Sequence, residues 1–347
     1  AVGRSRPVSR FVEKLRILLE LVKFEHSIFA LPYAYIGALY GAGIATLVDG
    51  GQRPAFFKTA VLRVFGVHAA SAFEVQATRW VTFVELPWAA EGHSIAAPTW
   101  SAMAWITVAM VGARAFAFVV NRAADREIDA RNPRTADRAV PAGRIAAGEL
   151  WLFALFVLAA FLVAVWQLAP ITRVLWPLVL GVFVVYPYTK RFTVLCHYWL
   201  GLCLGLAPVG AWVAIGGPVG HPAPWVLGAA VALWTAGFDM IYATQDVECD
   251  RRDGVHSMPA DRGIARALVQ TRIAHAQTVA LLVGGGVLAG AGWPWYAGVG
   301  VAAALLWYEN TIVSAEDLSR VDAAFFTTNG IIAIVVFGGA LLDWIVI

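Results

Sequence analysis

Apolar residues run nearly unbroken for about 20 positions at a time, and polar residues gather between the runs. Alternation at a period of 2 or 3.6 would mark a half-buried strand or an amphipathic helix. Runs of this length match the hydrocarbon thickness of a bilayer instead. The pattern predicts about nine spanning helices, centred on 24–47, 101–121, 149–168, 173–190, 196–216, 224–246, 273–291, 293–309 and 325–346. The expected fold class is all-α: a polytopic membrane protein forming one transmembrane domain over 1–347. Residues 49–99 are the exception. Phe56 to Phe73 is apolar, but Lys58, Arg63 and His68 interrupt it. This segment is expected to form a long extramembrane loop or an interfacial helix. The glycines and prolines inside the spans, such as Gly201, Gly205, Pro208 and Gly210, are expected to let helices pack closely.

The cationic residues fall on one side of these spans. That side holds the basic N-terminal segment with Lys23, the group from Arg122 to Arg144, Lys190 and Arg191, and Arg251 to Arg272 with Arg320. The other side holds only Arg53, Lys58, Arg63, Arg79 and Arg173. The bias places the N-terminus in the cytoplasm of a multi-pass cell-membrane protein and the C-terminus outside. A full-length helix follows the basic N-terminus where a cleaved signal would have a short apolar region, so that helix is expected to be retained.

Composition narrows the class further. Apolar residues make up 60% and charged residues 14%, against about 25% charged in soluble domains. A net charge of +3 gives no reason to expect a nucleic-acid partner. The three cysteines form no CxxC pair, and the seven histidines have no zinc-ligand spacing.

Two acidic stretches stand out. Asn121, Asp125 and Asp129 recur every fourth residue at the end of the apolar run 105–120, on one helix face. Tyr242, Asp246 and Asp250 repeat them at a constant offset of 121 residues (246 − 125), and Asp239 adds an acid two turns upstream. Both copies contain Asp-x-Glu-x-Asp-x-Arg. Like charges at a negative helix terminus repel, and a divalent cation reverses both penalties. Both stretches close even-numbered helices, so a parallel duplication of four helices puts them on the cytoplasmic side. Magnesium takes hard oxygens, typically one or two carboxylates plus phosphate oxygens. One or two ions are possible. Arginines and Lys190 on the same side suit phosphate.

The residues also carry a family likeness. Asn121-x3-Asp125-x3-Asp129, followed by Arg131-Asn132-Pro133-Arg134-Thr135-x2-Arg138-x2-Pro141-x-Gly143, resembles the UbiA superfamily of intramembrane prenyltransferases. Asp239-x2-Tyr242-x3-Asp246-x3-Asp250 resembles its second motif, and Tyr186-x3-Lys190 a third piece between them. The run 129–135, with Lys23-Phe24-Glu25-His26, is similar to the 4-hydroxybenzoate polyprenyltransferase branch and its naphthoate-prenylating relatives. The long 49–99 segment departs from the family's short link.

The resemblance implies a fold of nine helices in two four-helix repeats plus one. It implies Mg2+-dependent transfer of a polyprenyl group from a prenyl diphosphate to an aromatic hydroxy acid, 4-hydroxybenzoate or a dihydroxynaphthoate, in ubiquinone or menaquinone biosynthesis. In that scheme Asp125, Asp129, Asp246 and Asp250 hold the metal, completed by Asn121 and Asp239. Arg122, Arg138 and Lys190 bind diphosphate. Tyr186 and Tyr242 offer ring faces to the allylic cation, and Lys23, Arg138 and His26 are the acceptor candidates. The rival enzyme readings are haem- and chlorophyll-type prenyltransferases. The rival outside enzymes is a secondary transporter, which would place its acids near the bilayer midplane.

Overall fold

The computed structural model describes residues 29–48 and 98–346, with Lys14, Ile17, Leu18 and Glu20; the side chains of 46–48 are excepted. The expected extramembrane segment at 49–99, Lys23 and His26 lie outside the described residues, save for Pro98 and Thr99.

Every regular element among the described residues is a helix. In chain order these are α1 (Leu31–Val48), α2 (Trp100–Ala124), α3 (Arg126–Arg131), α4 (Ala147–Gln167), α5 (Thr172–Thr189) and α6 (Cys196–Ala214). Then come α7 (Pro222–Tyr242), α8 (Val247–Asp253), α9 (Met258–Arg262), α10 (Ile264–Ala289), α11 (Trp293–Ile312) and α12 (Asn329–Val346). A 3-10 turn, Ala243–Asp246, joins α7 to α8, and a π-helical segment, Ala323–Thr328, leads into α12. Among the described residues, seven helices are long and apolar enough to cross a membrane. The expected count of nine is not reached by that measure, because α1 and α11 are not among the seven. α11 closes on the polar-aromatic run Trp307-Tyr308-Glu309-Asn310.

The bundle is built around α7, which packs along both α6 and α10. Gly201 and Gly205 of α6 make this possible: a Cβ at either would run into the carbonyl oxygens of Ala232 and Gly228. Gly37 likewise brings α1 against the backbone of Pro208. Lipid gives no hydrophobic drive between helices, so close backbone approach through small residues must hold them together. Gly210 differs from that expectation. Nothing lies within 4 Å of the Cβ it lacks, and it lines the central cavity. Gly201→Val is therefore expected to destabilise the bundle by about 1–3 kcal/mol, the scale of overpacking, while Gly210→Val leaves stability near wild type. Thermal unfolding in detergent checks both.

Three tryptophans, Trp212, Trp234 and Trp295, are fully buried, and each indole N–H has an acceptor: Pro218 O, Asn329 Oδ1 and Leu282 O. Asn329 also donates to the buried Glu309 Oε1 at 2.8 Å, tying α7, α12 and α11 through polar contacts. Leu152, Leu155, Phe156 and Leu178 on α4 and α5 face outward, as a lipid-facing surface requires.

Candidate active site

Each acidic stretch sits at a break in a helix. Asp125 ends α2 and starts α3 with φ −94° and ψ 3°; Asp246 opens α8 with φ −109° and ψ 4°. The duplication seen in the residues thus extends to the backbone. The breaks also change the electrostatics expected from the sequence. Each middle acid meets the positive start of a new helix as well as the negative end of the old one.

The two stretches meet. Asn132 and Arg134, in the chain leaving α3, reach Asp246: Asn132 Nδ2 donates to Oδ1 at 2.8 Å and Arg134 Nε to the same oxygen at 2.9 Å, while Arg134 Nη2 bonds Oδ2. Arg134 Nη1 also donates to the Tyr242 hydroxyl at 2.7 Å, and its guanidinium lies over that ring at 5.0 Å. Asn121, Asp125, Asp129, Asp239, Tyr242, Asp246 and Asp250 all line one cavity, with Arg122, Arg138, Tyr186 and Lys190.

Within this mouth two of the expected metal-binding acids, Asp125 and Asp129, are paired with the expected phosphate-binding cations. Lys190 Nζ donates to Asp125 Oδ2 at 2.6 Å, and Asn121 Nδ2 to the same oxygen at 3.1 Å. Arg122 and Arg138 both donate to Asp129, at 3.3 Å and 2.9 Å. Ser257 Oγ donates to Asp250 at 2.9 Å. Burial pushes the Asp125 carboxyl above the usual carboxylate range, and the Lys190 ammonium opposes that shift. Asp125 Oδ1 is buried and has no hydrogen-bond partner, the kind of orphaned oxygen that a cation would satisfy. No three acid, histidine or cysteine side chains among the described residues converge tightly enough to enclose an ion alone. That suits magnesium, which draws much of its shell from phosphate and water. The residues fit such an ion.

Below the mouth the cavity becomes apolar. Its volume is about 500 Å³. Ile106, Met110, Phe161, Val179, Leu204 and Val213 line it, and Leu168 and Trp225 mark its far reach. On α2 alone its lining runs from Ile106 to Asp125, about 28 Å along the axis at 1.5 Å per residue. One wall is aromatic. Phe325, carried by the π-helical segment, stacks on Tyr242 with centroids 4.2 Å apart, and Phe29 and Phe238 pack beside it.

Several of these residues had no role in the sequence reading. Asn132 and Arg134 were visible only as a motif, because reach across a bundle leaves no mark in spacing. Arg114 did leave a mark: it is a charge in the middle of an apolar run, where ionisable side chains usually serve a site. It lines the cavity, and its guanidinium lies 4.8 Å from the Phe118 ring, which Arg122 also approaches.

The fold and site together define a polytopic helical membrane protein with an acid- and cation-lined mouth above a long apolar channel. Residues 80–331 match the UbiA prenyltransferase family. The chain belongs to that family and is a prenyltransferase. It is 32% identical to the 4-hydroxybenzoate octaprenyltransferase of Cupriavidus necator over 246 residues, 70% of this chain and 85% of that one. The enzyme of the same name from Paraburkholderia phytofirmans is also 32% identical, over 76% and 87% of the two chains. Among solved structures, the apo form of a UbiA homologue from Aeropyrum pernix K1 has a TM-score of 0.70 at 28% identity, covering 92% of this chain and 98% of that one. A UbiA homologue from Archaeoglobus fulgidus bound to GPP and Mg2+ shares the fold, with a TM-score of 0.59 at 19% identity over 94% and 99% of the chains.

Proposed function

We propose that this protein transfers a polyprenyl group from a prenyl diphosphate to the ring of 4-hydroxybenzoate or a closely related aromatic hydroxy acid, using Mg2+ at the cytoplasmic face of the cell membrane. The observation that carries this reading is the continuity of one cavity, lined over about 28 Å along the axis of α2, from carboxylates and cations at its mouth to an apolar channel below. A diphosphate needs the first part and a prenyl tail the second. The names of the bacterial relatives support the acceptor, and the Mg2+ and GPP held by the archaeal homologue support the donor.

Asp125, Asp129, Asp246 and Asp250, with Asn121, would hold the metal. When bound, Mg2+ neutralises charge on the departing pyrophosphate as a Lewis acid. Lys190, Arg122, Arg138 and Arg134 exchange their carboxylate partners for diphosphate oxygens and stabilise the charge that develops there. The C1–O bond of the prenyl diphosphate breaks and a bond forms between C1 and the ring carbon beside the acceptor hydroxyl. The ring proton leaves to solvent at the mouth. Tyr186 and Tyr242 line the space where the allylic cation forms; the Tyr186 ring is the one suited to attract it, because Phe325 and the Arg134 guanidinium lie against the Tyr242 ring. Arg114, a further cation on the cavity wall about two turns below Asn121, is a candidate for the acceptor carboxylate beside Arg138.

Incubation of protein in lipid with Mg2+, prenyl diphosphates of several lengths, and hydroxybenzoate and dihydroxynaphthoate acceptors tests the reading, with products read by mass. Prenylated acid and equimolar pyrophosphate are expected. Proton- or sodium-coupled flux with no pyrophosphate would favour the transporter. EDTA is expected to abolish product and excess Mg2+ to restore it; activity persisting after complete chelation contradicts the metal assignment. Arg114→Gln is expected to raise the acceptor KM by about tenfold or more, the loss of one charge-assisted hydrogen bond, with the prenyl diphosphate KM little changed. Equal shifts in both would count against a specific role for Arg114.

A further inference from the structure

His197 opens α6 and is 2% exposed. Both ring nitrogens are engaged, and their partners determine which one carries the proton. The Met258 N–H donates to Nε2 at 3.1 Å, so Nε2 is the lone-pair nitrogen. The proton of the neutral ring is therefore on Nδ1, which donates to Asp239 Oδ2 at 2.7 Å.

Both partners belong to the second acidic face. Asp239 lines the cavity on α7, two turns before Asp246, and no other side chain among the described residues bonds its carboxylate. Met258 begins α9 directly after Ser257, whose hydroxyl donates to Asp250. The same strap is held at two further points: the His256 N–H donates to Lys190 O at 2.7 Å, and the Cys196 thiol to His256 O at 3.4 Å. One imidazole thus joins the start of α6, the carboxylate of Asp239 and the strap that carries Ser257.

We propose that His197 is the positioning residue of the second acidic face. It touches no reacting atom. It aims Asp239 into the mouth, and through Met258 it keeps Ser257 against Asp250. The inference rests on the transferase reading above. Outer partners of this kind hold metal-binding carboxylates in orientation, and their loss typically weakens metal binding or activity 10- to 100-fold.

His197→Gln can keep both bonds, since one terminal amide offers an N–H and a C=O. His197→Met fills similar space and keeps neither. Calorimetric titration in lipid nanodiscs with Mg2+ and inorganic pyrophosphate is expected to show binding weakened about 10- to 100-fold in His197→Met and largely recovered in His197→Gln. The KM for prenyl diphosphate should follow binding more closely than kcat does. Binding in the Met variant equal to wild type, or a Gln variant no better than Met, overturns the proposal. The 15N resonances of His197 in unsubstituted protein, assigned by their loss in His197→Gln, are expected to report the Nδ1–H tautomer. The opposite tautomer overturns the proposal even where the Met variant does not fold. Neither readout needs an acceptor, so a protein that prenylates nothing would sink the transferase reading separately.

Discussion

Asp246→Ala is expected to lower turnover by at least about 10²–10³-fold, the scale for deleting one preorganised charge-stabilising group, while the protein still inserts and folds. Asp246 is where the two halves meet, through Asn132 and Arg134. Losing it leaves Arg134 with the Tyr242 hydroxyl and exposed enough to stay hydrated, but removes the acceptor of the buried Asn132 amide, so a loss of about 1–3 kcal/mol is expected. Asp246→Asn separates charge from scaffold. Its amide oxygen still accepts from Arg134, but it is a far weaker magnesium ligand. If the carboxylate serves the metal, Asn and Ala should be about equally inactive, and both should need more Mg2+. An Asn variant with near-normal turnover would reduce Asp246 to a structural tether. Steady-state rates against Mg2+ concentration, with expression and thermal midpoints as folding controls, decide between these outcomes.

Lys190→Ala is expected to raise the KM for prenyl diphosphate more than it lowers kcat, and to destabilise the protein. The second effect comes from the structure alone. Lys190 is the cationic partner of a carboxylate that is 2% exposed. Removing one side of such a pair leaves the other desolvated, at a cost of about 1–3 kcal/mol. Lys190→Ala combined with Asp125→Asn should recover much of the stability, because the neutral amide tolerates burial, and should recover no activity. This is a double-mutant cycle on residues in contact, so non-additive stability is the expected result. Additive losses would show that the pair contributes nothing to the fold. An unchanged KM in the single variant would remove Lys190 from diphosphate binding.

Much of this site could be read in the chain because its chemistry is local. Asn121, Asp125 and Asp129 follow helical spacing, and their copies at 242, 246 and 250 keep it. Apolar runs marked the helices for the same reason, although α10 starts at Ile264, about two and a half turns before the expected span, because its first turns carry arginines. Pairing was not legible. Arg122, Arg138 and Lys190 were expected on phosphate, yet each bonds an acid. Which partner a cation takes depends on distances between segments far apart in sequence. Arg134 and His197 were missed on the same ground: one reaches Asp246 across the bundle, and the other links Asp239 to a backbone N–H on another element.

The amino-acid sequence by itself determined that the protein is an all-helical membrane protein with a duplicated acid motif. Run length and four-residue spacing are properties of a single segment, and solvation by lipid or water acts on each segment separately. Only the tertiary structure decided that the two motifs share one mouth, that cations pair with Asp125, Asp129 and Asp246, and that an apolar channel opens beneath. Those features depend on how closely helices approach, which glycines at Gly37, Gly201 and Gly205 set through contacts with residues remote in the chain.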